Sequence, residues 1–456
     1  MGRVYPLFGG AAPVLGQSKS TSLRRHPPYT RAMSRSWQRV LWVSWTAQIL
    51  AIVGFNIVTP FLPLYVQHLG VHDRSALLLW SGVLFAGTTV AMTLFAPLWG
   101  SVADRYGRKM MVVRAMGSGA VLVFLMTVVQ NPQELLILRV VQGMLTGSVA
   151  ASQALVAAAV PRERLGLAMG AMQTALFTGA SIGPLVGGQL VVRVGFETTF
   201  VIAAALLAVA ALLVAFFVEE QFTPGAVRHD EPRRSLLGDV RAILRQRQLA
   251  LVIVVICAVQ FGAQIVAPFL SVFVQDLGAT PQNAAAQAGN VFSIAGICSA
   301  LTAIAAGRFM DRRGRFRLVL IGTTLAAAML NVPQAFTASI NQLYVLRGLE
   351  GLAMGGMLAT STTMLSLGTP AEWRGATIGL SAGANAAGQA LGQVSGSAIA
   401  SSLGIRSVFL VTASVLALVS AAVALGVREP EPPDDEEEGC YHTHAPVGTV
   451  ATPAGR

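Results

Sequence analysis

The residues with the most chemical potential lie where such residues are rarest. Glu350 stands in a long apolar run at 342–367 and is the only carboxylate well inside one, with Arg347 three residues before it. On a helix that spacing puts both side chains on one face. Burial disfavours a charged carboxylate and a neighbouring guanidinium favours it. Such a pair could load and release a proton as its surroundings change, or it could be a permanent ion pair that holds helices together. A second cation, Arg139, lies in the run at 134–159, followed by Gln142 and Gly143. A charge at the centre of a bilayer costs about 2.5–3.5 kcal/mol or more. Arg139 therefore needs a partner, a wet cavity, or a place near the end of its run from which it reaches the interface.

Two further clusters could work mechanically. Between Gly100 and Lys109, Gly100 permits close helix approach and Gly107 a tight turn, with Asp104, Arg105 and Arg108 between and after them. Asp104 can face the positive N-terminal end of a neighbouring helix, and the arginines supply pairing charges. That is a latch able to hold one state and break in another; the plainer reading is a basic turn. Gly179, Gly183, Pro184, Gly187 and Gly188 form the second cluster. Small residues four apart let helices pack closely, and Pro184 removes a donor and bends its helix. No G-x-x-x-x-G-K-[ST] loop occurs, which excludes an ATP-driven pump in this chain, and no enzyme constellation is visible. Cys440, His442 and His444 are metal-ligand types, but they follow Pro430, Pro432 and Pro433 in a polar tail, so no metal site is assigned. Three cysteines without paired spacing give no disulfide framework.

The elements that must position these groups follow from composition. Of 456 residues, 54% are hydrophobic and only 12% charged, against about 25% charged in soluble domains. Apolar runs lie at about 40–66, 76–99, 110–129, 134–159, 165–192 and 198–218, then at 249–275, 286–306, 317–337, 342–367, 375–402 and 406–427. Each is long enough to cross a bilayer as a helix. The expected fold is an all-α membrane protein of twelve transmembrane helices in two pseudo-symmetric six-helix bundles, at 40–218 and 249–427. A cytoplasmic linker at 219–248 joins them. A basic tail at 1–39 and an acidic, Pro-rich tail at 428–456 flank them.

The two-bundle reading rests on a repeat. Pro60-Phe61-Leu62, Gly100 with Asp104 and Arg105, Leu138-Arg139 with Gly143, and Gly195 with Phe200 return 207–209 residues later as Pro268-Phe269-Leu270, Gly307 with Asp311 and Arg312, Leu346-Arg347 with Gly351, and Gly404 with Phe409. Parallel six-helix halves with a site between them near the midplane are a transporter architecture. The even-numbered connections and both tails hold 27 of the 32 Lys and Arg, and the opposite connections hold Arg74, Arg193 and Arg406. Both termini are therefore expected in the cytoplasm. The net charge of +11 reflects this membrane asymmetry, and no nucleic-acid partner is expected. The tail before Met33 reads as a disordered or targeting segment, or as a misassigned start, and is expected to be dispensable.

These motifs resemble a known family. Gly100 to Lys109 closely resembles the loop signature G-x-L-A-D-R-x-G-R-K of the major facilitator superfamily, with Val102 in place of Leu. Arg139-Val-Val-Gln142-Gly143 resembles its R-x-x-Q-G pattern, and Gly179 to Gly188 its antiporter motif G-x-x-x-G-P-x-x-G-G. The second half keeps Gly388, Gly392 and Gly396 but has Gln393 where Pro184 stands. The full motif in the first half only is typical of the drug/proton antiporter branch. Trp37 to Gly70 and Trp80-Ser-Gly82 look like bacterial multidrug efflux transporters of the MdtG type. The resemblance covers about residues 37–427. It implies a monomeric, proton-driven exporter of small amphipathic drugs in the bacterial inner membrane, using the proton gradient and no cofactor. Arg139 is then implicated in proton coupling. A cavity needs apolar walls and a few polar groups. Phe55, Asn56, Phe61 and Tyr65 of the first helix could supply them, with Gln173 and Phe177 of the fifth and Gln260, Gln264 and Phe269 of the seventh. Met144, Met172, Met354 and Met357 would add adaptable surface. An exporter of an endogenous sugar or amino acid is the nearer alternative. A non-transporting sensor is the farther one, and it lacks an output domain.

Overall fold

The computed structural model describes residues 31–220, 236–369, 373–427 and 429; residues 1–30 of the basic tail and the Cys440–His444 cluster lie outside them. All its described regular elements are helical. In the first half these are α1 (Arg31–Ile57), α2 (Leu62–His68), α3 (Arg74–Tyr106), α4 (Arg108–Leu125), α5 (Pro132–Leu145), α6 (Ser148–Ala159) and α7 (Leu165–Phe217). The helix α8 (Leu236–Arg245) follows in the linker. The second half holds α9 (Arg247–Gln264), α10 (Leu270–Asp276), α11 (Ala284–Arg313), α12 (Phe316–Ala335), α13 (Ile340–Leu367), α14 (Arg374–Leu403) and α15 (Ile405–Gly426).

Among the described residues, nine helical segments are long and apolar enough to cross a membrane. One of them, α7, has 53 residues and would be about 80 Å long, more than twice the hydrocarbon thickness. Gly195, at φ 81°, divides it into two helices; only glycine takes that backbone region readily. Two further helices, α13 and α14, have 28 and 30 residues but are diluted in hydropathy by Gly, Ser and Thr. With these three additions the helices match the twelve crossings expected.

The fourth crossing is interrupted. Gly147, at φ 127°, separates α5 from α6. In hydrocarbon each freed backbone group needs a partner. Trp99 Nε1 donates to the Met144 carbonyl at 2.6 Å, and Ser118 Oγ to that of Leu145 at 3.4 Å. At the corresponding place in the second half, Gly355 sits inside a continuous α13.

One face of the molecule carries the Lys- and Arg-rich connections; we call it the basic face and its opposite the far face. The halves join through α3 against α14 and α7 against α11, and the close contacts cluster toward the far face. Arg74 pairs with Asp276, Gln275 Nε2 reaches Gln67 Oε1 at 3.4 Å, and Ser293 Oγ donates to the Ser181 carbonyl at 2.6 Å. The apolar core of the first half continues into the second only through residues near that face, such as Phe269, Phe273, Ala285 and Phe409. The rest of the second half has its own core around Val252, Val259 and Met357. The named contacts between the halves thus hold them together toward the far face.

Candidate functional site

In the second half a cavity of about 250 Å³ lies between α9, α11 and α13. Its wall includes Gln264, Phe292, Ser299, Arg347, Glu350 and Met354. Glycines set this geometry. A Cβ on Gly351 would stand 2.3 Å from the Ala295 carbonyl, and one on Gly355 2.0 Å from that of Ser299. Side chains there would push α13 off α11. The first turn of α13 is fixed by Ser339, whose Oγ accepts the Gln342 N–H.

Glu350 is 3% exposed. Its carboxylate accepts from Arg347 Nη1 at 2.9 Å, Asn331 Nδ2 at 2.9 Å and Gln334 Nε2 at 3.0 Å. The Arg347 guanidinium also lies 5.5 Å from the centre of the Phe409 ring. A carboxylate of this kind is paired and oriented, with one edge of its surroundings open to a cavity.

The first half holds the repeat's other copy. Arg139 Nη1 donates to Gln142 Oε1 at 3.2 Å, the same three-residue spacing with an amide in place of the carboxylate. Arg139 and Glu350 are therefore not partners; each belongs to its own half's Arg-x-x-Gln/Glu pair.

The antiporter-motif glycines are contact points. Added Cβ atoms on Gly179 and Gly183 would lie 2.6 Å from Ile52 and Asn56 side-chain carbons, and one on Gly187 1.9 Å from the Ile57 carbonyl. These three seat α7 on α1. Gly188 faces the other half, with Ala285 O 2.3 Å from its would-be Cβ. The Pro184 carbonyl lies 2.3 Å from the would-be Cβ of Gly289. The motif therefore joins the first and fifth crossings and seals them onto α11.

The loop after α3 is anchored by a residue that the motif does not contain. Glu220 accepts the backbone N–H groups of Arg108 at 2.9 Å and Lys109 at 2.8 Å. Arg108 Nη1 donates to the Ala154 carbonyl at 3.1 Å, and the Arg105 guanidinium lies 5.6 Å from the Tyr106 ring centre. The Asp104 side chain is outside the described residues. In the second half Glu429 repeats the cap on the Arg317 N–H at 3.0 Å. A carboxylate at a helix N-terminus satisfies orphan donors and complements the dipole. Glu220→Ala is expected to cost about 1 kcal/mol, in the range of helix-cap losses, and to lower the midpoint of a thermal melt in detergent, whereas Glu220→Gln should lose less.

The proposed cavity residues separate. Gln264 lines the cavity with Glu350, and Met354 joins it. Phe61 and Tyr65 are buried with Phe196 and Phe200, and Tyr65 Oη donates to the Met126 carbonyl at 2.8 Å. Phe269, Gln260, Met172 and Met357 are buried too. Phe55 covers Gly119, and Asn56 Nδ2 donates to the Ile52 carbonyl at 2.9 Å. Gln173 Oε1 accepts from Gln153 Nε2 at 3.1 Å on an exposed stretch; Phe177 and Met144 are half-buried. Apart from the exposed Gln173, these side chains fill cores and helix contacts, and none of them lines the Glu350 cavity. Asn331 and Gln334, absent from the sequence reading, do meet Glu350. Their signal was two amides three apart in an otherwise apolar run.

The family signature of the Major Facilitator Superfamily matches residues 44–289 and 253–446. The multidrug resistance protein MdtG of Klebsiella pneumoniae is 33% identical over 396 residues, covering 87% of this chain and 95% of that protein. The MdtG of Citrobacter koseri is 35% identical over 382 residues, covering 84% and 93%. Among solved structures, a bacterial homolog of the human lysosomal transporter Spinster, inward-facing and occupied, superposes with a TM-score of 0.68 at 15% identity, covering 87% of this chain and 99% of its own. The nucleoside transporter NupG gives 0.66 at 17%, covering 84% and 98%. At those identities the likeness is one of fold.

Proposed function

The chain belongs to the major facilitator superfamily and is a multi-pass membrane transporter, and from that premise we propose that it is a proton-coupled multidrug efflux transporter of the bacterial inner membrane, working by alternating access. The observation that carries the proton coupling is Glu350, a buried carboxylate held by three donors beside a cavity. The two relatives' name, multidrug resistance protein, supports the substrate class. So does a wall that mixes Phe292 and Met354 with Gln264 and Ser299. An apolar, adaptable pocket with few polar groups suits amphipathic molecules of varied shape.

The Lys and Arg asymmetry supports a cytoplasmic basic face, with both termini there. The arrangement closed at the far face is then the inward-facing state. Export also requires the reverse state, and the Asp104–Arg108 loop is the element we assign to the exchange. An inward-moving proton gains about 2.3 kcal/mol per 100 mV of membrane potential, which supplies the work.

The test is a drug-susceptibility panel in a host stripped of its own efflux pumps. Expression of this chain should raise the inhibitory concentration of several unrelated amphipathic drugs severalfold, and an uncoupler should abolish the gain in drug accumulation assays. No change for any drug, together with counterflow of a sugar or amino acid in proteoliposomes, would replace the drug reading with metabolite export.

A further inference from the structure

Asn331 and Gln334 are both fully buried, and their hydrogen bonding is one-sided. Asn331 Nδ2 donates to the Ala327 carbonyl and to Glu350, each at 2.9 Å. Gln334 Nε2 donates to the Leu330 carbonyl at 3.2 Å and to Glu350 at 3.0 Å. The amide oxygens, Asn331 Oδ1 and Gln334 Oε1, are buried without a donor. A buried amide with an idle acceptor is an unfavourable group to place in an apolar helix. It is accounted for here by what its donors hold.

The repeat shows that the fold itself does not require them. The corresponding positions in the first half are Val123 and Met126, both fully buried. Where that half has two apolar side chains its Arg-x-x-Gln pair carries no carboxylate, and where the second half has Glu350 it has two amides. The amides accompany the carboxylate.

We propose that Asn331 and Gln334 are positioning residues that set the pH at which Glu350 takes up its proton. This deepens the reading of Glu350 as proton carrier and rests on it. Hydrogen bonds to a charged form favour that form, and both amides present their donors to the carboxylate, so removing a donor should make proton uptake easier. Among the described residues lining the cavity, Arg347 is the only other charged group; α9 presents Gln264, and α11 presents Phe292 and Ser299. Cys298 of α11 packs near Gly348, and Tyr344 of α13 bonds to Gln287 and Asn290.

The experiment is the pH profile of drug/proton exchange in proteoliposomes. Gln334→Met and Asn331→Leu keep the volume and remove the donor. Each should move the half-maximal point to higher pH by about one unit, a tenfold change, with the plateau rate at low pH retained. As a measurement independent of turnover, the infrared carboxyl band of the purified protein that disappears in Glu350→Gln should titrate with the same shift. If Asn331→Leu fails to accumulate, Gln334→Met alone decides. An unshifted profile and band in Gln334→Met, with Glu350→Gln inactive, overturns the proposal and leaves the proton carrier standing. A Glu350→Gln protein with a normal pH profile instead removes the carrier reading on which it rests.

Discussion

Glu350→Gln should accumulate in the membrane, bind drug with unchanged affinity and lose proton-driven export by at least tenfold. The substitution keeps the shape of the side chain and removes the titration. It leaves Arg347, Asn331 and Gln334 pointing donors at a group that can accept fewer of them, at a cost of about 1–3 kcal/mol for a buried unmet partner. That is a tolerable loss for a chain of this size, so the defect should appear in transport before it appears in yield. The measurement is drug accumulation in everted vesicles under an imposed pH gradient, beside equilibrium drug binding to purified protein. Glu350→Asp, which keeps a titrating carboxylate, should recover part of the rate. Normal export that still collapses with an uncoupler would send the proton to another group, with Asp104 or a group on the substrate next in line.

Gly188→Leu should leave a protein that inserts but cannot close its far face. A Cβ at that position meets the Ala285 carbonyl 2.3 Å away, and backbone cannot yield as a flexible side chain can. Overpacking of this kind costs about 1–3 kcal/mol. Here the cost falls on one conformation only, because the contact crosses between the halves. A penalty of about 1.4 kcal/mol on the closed state shifts its balance with the open state tenfold. Transport should fall by at least that factor, and a single cysteine replacing the buried Ser293 of α11, in a background lacking native cysteines, should become reactive to a membrane-impermeant thiol reagent from the far side. Gly166→Ala is the control, since its Cβ meets nothing within 4 Å; it should transport normally. Equal loss in both variants would mean that helix α7 tolerates no added bulk anywhere, and the cross-half contact would have no special standing.

Much of this was legible in the chain because the membrane narrows the possibilities. Apolar runs of about twenty residues become crossing helices, and the repeat brought paired turns with it: Gly70 and Gly278, Gly107 and Gly314, and Gly195 and Gly404 all have positive φ. Glu350 stood out because a lone carboxylate in an apolar run is costly. What stayed hidden depends on which way a helix faces. Phe61 and Tyr65 carry the residue types of a binding wall, but an aromatic side chain is equally suited to a core, and α7 brings Phe196 and Phe200 to cover them. Asn331 and Gln334 gain their meaning from α13, which arrives through contacts between separate helices. Glu220 caps a helix more than a hundred residues earlier in the chain, a link that local sequence cannot display.

The interruption at Gly147 makes the two halves mechanically unequal. In the first half, the crossing that bears Arg139 is a jointed strut, its loose carbonyls tied sideways to Trp99 and Ser118. In the second half, the crossing that bears Glu350 is an unbroken rod from Ile340 to Leu367. A rod carries displacement from one end to the other undiminished, whereas a joint absorbs it as a change of angle. Tyr344, hydrogen-bonded to Gln287 and Asn290 of α11, sits on the same rod as Glu350. Movement at the basic face would therefore reach Glu350 along an unbroken helix, whereas on its way to Arg139 it must cross the joint at Gly147. Two bundles related by one repeat thus divide the labour, one yielding and the other transmitting.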